Sequence, residues 1–136
     1  MMQKYLRWLL AGLMIVAGLN HFRMPALYIA MIPAWLPAPS ALNIISGAAE
    51  ILGGLGLVAP WPAVRRAASW GLIALLLAVF PANLNMAIHN LPLGDNHVPA
   101  WTLWARLPLQ AIFIAWAWWC TADRTSAVAA ANVARP

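Results

Sequence analysis

Acidic residues are almost missing from this chain: Glu50, Asp95 and Asp123 are all that its 136 residues contain. Residues of either charge make up 8% and hydrophobic ones 64%, with a mean hydropathy of +0.76. A soluble domain carries about 25% charged residues, so this composition excludes a water-soluble enzyme and places the chain in a bilayer. Cysteine is reduced to Cys120 alone, which rules out an internal disulfide and a Cys-x-x-Cys redox pair. Its place near the end of the last apolar stretch reads as packing. Also missing are Gly-x-Gly-x-x-Gly, the P-loop, His-Glu-x-x-His and Gly-x-Ser-x-Gly, and with them the usual dinucleotide, phosphate, zinc-protease and serine-hydrolase signatures.

What is present is four long apolar stretches, near residues 4–23, 40–59, 66–89 and 100–121, each matching the roughly 20 helical residues a hydrocarbon layer requires. The first has the basic start of a secretory signal but no small-x-small cleavage site after it, and is read as a retained helix. "ALYIAMIPAWLPAPS" between the first two is apolar, yet Pro33, Pro37 and Pro39 interrupt it too often for a span. It is expected to lie on the membrane surface as a short helix, with Tyr28 and Trp35 at headgroup level. The predicted fold is therefore all-α, an integral membrane four-helix bundle with a short interfacial helix between helices 1 and 2. Residues 1–136 form one transmembrane domain, with the tail 122–136 loosely ordered.

Lys4, Arg7, Arg65, Arg66, Arg124 and Arg135 lie at the N-terminus, second connection and tail, against Arg23 alone in the other two connections. By the positive-inside rule both termini face the cytoplasm. The net charge of +5 accordingly reads as topology and attraction to anionic lipid, with no nucleic-acid partner. Trp101 and Trp118 are 17 residues apart on the fourth stretch, about 26 Å along a helix, as interfacial belts require.

The remaining polar residues cluster by depth. On the second predicted helix Asn43, Ser46, Gly47, Glu50 and Gly54 fall within an arc of roughly 100°, a face that must look inward. Glu50 lies near the bilayer centre, where an ionised side chain costs roughly 2.5 to 3.5 kcal/mol on insertion scales. Arg106 and, one turn deeper, Gln110 lie on the fourth helix at a depth that permits an ion pair or a water-bridged contact between Arg106 and Glu50. His21 comes from the first helix. The third contributes Asn85 and His89 at i, i+4 spacing, with Asn83 pointing elsewhere unless Pro81 bends the helix. These groups gather in the outer half of the bundle, as around a cavity that opens outward. Taken singly, each histidine is more often a solvated interface residue than a ligand. The asparagines serve equally well as ties between helices. A metal on His21, Glu50 and His89 is a weak reading, and no metal site is assigned.

"GLNHFRMPALYIAMIPAWLP", "LNIISGAAEILGGLGLVAP", "FPANLNMAIH" and "RLPLQ" together resemble the DoxX-like family of small bacterial four-helix membrane proteins, over roughly residues 10 to 120. The resemblance implies a four-helix membrane subunit whose polar signature falls on His21, Glu50, Asn83, Asn85 and Arg106. Relatives of that family are linked to quinone-dependent oxidation of sulfur compounds and to membrane complexes handling oxidative stress. The expected function is a periplasm-facing polar cavity that binds a small molecule, with quinone as the cofactor in view, in support of membrane redox chemistry. Glu50 and Arg106 would carry the chemistry, and His21, Asn43, Ser46, Asn83, Asn85, His89 and Gln110 would hold the ligand. The alternative is a non-enzymatic scaffold or assembly subunit of a membrane redox complex, and behind it a small transporter or metal carrier. Expected partners are the lipid bilayer, a redox enzyme subunit and further copies of the chain.

Overall fold

A computed structural model describes residues 2–92 and 97–122; the tail expected beyond residue 122 otherwise lies outside the described residues. The secondary structure is helical throughout: α1 (Met2–Arg23), α2 (Pro25–Met31), α3 (Pro39–Val58), α4 (Pro62–Ile88) and α5 (Ala100–Thr121). Pro25, Pro39 and Pro62 occupy the first turns of α2, α3 and α4, where the missing N–H costs nothing and the fixed φ favours helix. Arg65 then closes α3 by donating from Nη1 to the carbonyls of Ala59 and Pro60.

Among the described residues, α1, α3 and α4 are long and apolar enough to cross a membrane. At 22 residues α5 has the length, but Arg106, Gln110 and its five tryptophans leave it less hydropathic, because the indole is amphipathic and favours interfaces. Leu13, Val16, Ile44, Ile45, Leu52, Leu55, Leu77 and Ile112 are exposed around the helices, an apolar surface suited to acyl chains rather than water.

Sequential helices pack antiparallel. Between α1 and α3 the seam is glycine on glycine: a Cβ at Gly18 would sit 2.6 Å from the Gly47 carbonyl oxygen, and one at Gly54 2.8 Å from that of Ala11. Such close approach replaces the missing hydrophobic drive between helices in lipid with dense van der Waals contact. Between α3 and α4, Gly53 receives Leu72 and Gly56 receives Ala68. Gln3 Nε2 donates to the Ala122 carbonyl at 2.8 Å, which places the start of α1 and the end of α5 at one end of the molecule.

That terminal end has an apolar core of Leu10, Ala11, Met14, Leu57, Leu72, Ile73, Ala117 and Cys120. At the opposite end a second cluster joins Met31 of α2 to Met86, Ala87 and Leu103. α2 packs against α1, α3 and α4 there. α1 and α5, both long helices, touch only sparsely, and the polar residues lie between the two cores.

Candidate functional site

Between the two clusters lies a cavity of about 210 Å³, walled by all five helices. Its apolar lining includes Met14, Ala17, Leu76, Val79, Leu109 and Phe113. Its polar lining is His21, Asn43, Ser46, Glu50, Asn83, Arg106 and Gln110, with Tyr28 and Met31 at the α2 end. The structure thus brings together seven of the nine residues singled out from the sequence.

Glu50 sits about 12 Å from the nearer end of α3, on the face formed by Asn43, Gly47 and Gly54. Its residue is 8% exposed, and its Oε2 is buried without a hydrogen-bond partner. The nearest basic atom is His21 Nε2, 3.7 Å away, too far for a direct hydrogen bond. The other side of the imidazole is fixed. Asn43 Nδ2 donates to the His21 carbonyl at 3.1 Å, so its Oδ1, 2.8 Å from His21 Nδ1, is an acceptor and Nδ1 carries a proton. His21 Nε2 and Glu50 Oε2 consequently face each other across a gap that needs one proton, on either the imidazole or the carboxyl, for the two to attract.

Tyr28 stacks on the His21 ring with centroids 3.8 Å apart. Burial pushes its phenol above the ordinary range; Glu50 adds to the rise and Arg106 opposes it. Across the cavity Gln110 donates from Nε2 to the Leu76 carbonyl and accepts at Oε1 from Asn83 Nδ2 at 3.1 Å. Leu76 lies one turn before Pro81, which α4 accommodates without a break.

Several expectations need correction. Arg106 does not pair with Glu50: its Nη1 lies 3.8 Å from Met86 Sδ, because the two charges sit on different walls of the cavity. Asn83 and Asn85 exchange roles. Asn83 faces the cavity, whereas Asn85 turns to α2 and donates to the Met31 carbonyl at 3.0 Å. His89 is exposed and donates from Nδ1 to the Asn85 carbonyl, finishing its own helix away from the cavity. With His89 removed, His21 and Glu50 make only two of the three metal ligands considered, and no group of three such side chains occurs among the described residues. Tyr28, expected on the membrane surface, also lines the site, and Trp35 is 72% exposed. Sequence periodicity could not find Tyr28, since Pro25 ends the α1 repeat before α2 folds back across the bundle.

A family model described as a domain of unknown function, DUF8561, matches residues 10–121. The chain belongs to the DUF8561 family. The match contains every residue that lines the cavity, so the site lies within the DUF8561 domain itself. No curated protein and no solved structure gives a significant match.

Proposed function

We propose that this DUF8561 chain is a four-helix inner-membrane protein whose cavity binds the head group of a small redox-active molecule, a quinone. α5 completes the bundle: at about 33 Å it is long enough to span, and Trp101, Trp104 and Trp118 are exposed towards its two ends, as interfacial anchors are. The basic residues favour cytoplasmic termini, which would set the α2 end and the cavity towards the periplasm. The DoxX-like resemblance supports the same reading.

One observation carries the proposal: Glu50, which lines a mostly apolar cavity, keeps its Oε2 buried and without a hydrogen bond. A carboxyl group at that depth is expensive unless something bonds it. With the proton on its carboxyl, Glu50 would donate to a quinone oxygen and so supply that bond, while Arg106 and Asn83 offer donors to the rest of the ring. Cavities of roughly 150 Å³ hold benzene, so about 210 Å³ suits a substituted six-membered ring. Reduction of a quinone takes up two electrons and two protons. The Glu50–His21 pair would pass one proton to one oxygen and water would supply the second to the other, and a partner redox subunit would provide both electrons.

Equilibrium dialysis of the purified protein in micelles against a short-chain benzoquinone tests this. The parent should bind saturably at one site, and Glu50→Gln should bind at least tenfold more weakly while keeping its thermal stability. Equal affinity in the two would refute the mechanism. A scaffold function is the second reading, favoured by the reciprocal His21–Asn43 bonds that lock α1 to α3. It predicts no saturable binding by the parent and a large coupling between His21→Ala and Asn43→Ala in a double-mutant cycle of stability.

A further inference from the structure

The route into the cavity identifies a further property of the ligand. Of the residues that line it, Leu109 alone is exposed, at 49%. Leu109 lies nine residues into α5, about 14 Å from its start and so near the middle of the helix. It shares the cavity lining with Met14 and Ala17 of α1, and α1 and α5 make few contacts with each other. Ala17 is partly exposed. α2 lies across the end nearest the polar groups, with Met31 buried against Met86 and Leu103, its carbonyl tied to Asn85 and Tyr28 stacked on His21. The terminal core fills the opposite end.

We infer that the cavity opens sideways into the bilayer between α1 and α5, and that its ligand is an amphiphile whose alkyl or isoprenoid tail leaves past Ala17 and Leu109 while its polar head rests against Glu50 and His21. This rests on the function proposed above and narrows it, because a water-soluble head group without a tail would have no reason to enter through lipid. Small Ala17 and unbranched Met14 leave space for a chain, and Leu109 and Phe113 give it apolar contact.

The test compares two ligands with the same benzoquinone ring, one tailless and one with a decyl chain, on the full-length protein in micelles, correcting for partition into detergent. The parent should prefer the decyl ligand at least tenfold. Leu109→Trp at one lip and Ala17→Phe at the other should each weaken the decyl ligand at least tenfold more than the tailless one. Val16→Phe, on an exposed lipid-facing position outside the lining, should change neither. Equal loss of both ligands at the two lips, or no loss of either, would overturn the lateral route and leave head-group binding standing. Failure of the parent to bind either ring would overturn both proposals.

Discussion

Replacing Gly47 with alanine adds one methyl group at a tight point of the α1–α3 seam. That carbon would lie 2.6 Å from His21 Cβ and 3.0 Å from both the Gly18 carbonyl oxygen and Phe22 Cε2. Carbon atoms rest at about 3.5 to 4.0 Å, so α1 must retreat by roughly 1 Å. Overpacking of this kind costs about 1 to 3 kcal/mol. The shift also stretches the two His21–Asn43 bonds, at 2.8 and 3.1 Å, and hydrogen bonds between membrane helices average about 0.6 kcal/mol each. Against this, alanine in place of a helical glycine returns roughly 0.5 to 1 kcal/mol. The net expectation is a loss of about 1 to 3 kcal/mol. Gly12→Ala is the matched control, because a Cβ there meets nothing within 4 Å; only the propensity gain of about 0.5 to 1 kcal/mol remains. Unfolding in mixed micelles, followed by far-ultraviolet circular dichroism, should therefore separate the two variants by roughly 2 to 4 kcal/mol in opposite directions. Equal stability would refute the claim that glycine contact holds α1 to α3.

Other outcomes follow from the same geometry. Asn85→Ala removes the tie to the Met31 carbonyl and should cost about 1 to 3 kcal/mol, visible as faster hydrogen exchange across α2. His89→Ala should leave quinone binding unchanged and stability within about 0.5 kcal/mol, since its ring is exposed and bonds only its own helix; a binding loss in dialysis would restore His89 to the site. Tyr28 should ionise above its ordinary value of 10.0, seen as the difference between ultraviolet titrations of the parent and Tyr28→Phe. Because the folded state raises that phenol's pKa, its contribution to stability is complete below pH 10 and is lost as pH rises further.

Much of the helical layout is legible in the sequence because lipid forces it: a polar backbone in hydrocarbon must form helices, and their length is set by the layer. The inward face of α3 is equally plain, since Asn43, Gly47, Glu50 and Gly54 share one arc and all are buried. Side-chain partners on different helices are not legible this way. Depth alone placed Arg106 opposite Glu50, but rotation about the α5 axis directs its guanidinium to Met86, and His21 takes the place beside the carboxyl. On α4, Asn83 reaches Gln110 of α5 while Asn85 turns to α2, a division that spacing along one helix does not reveal. α2 escapes periodicity altogether, because seven residues between proline breaks give no repeat to read.

The central claim is that Glu50, set beside His21, holds one oxygen of a bound quinone by donating a hydrogen bond to it. Infrared difference spectroscopy with a quinone labelled with carbon-13 at one carbonyl addresses it directly. Binding to the parent should lower the stretching frequency of one ring carbonyl, and the shift should vanish in Glu50→Gln. A carbonyl band identical in the parent, in Glu50→Gln and in empty micelles would contradict the account.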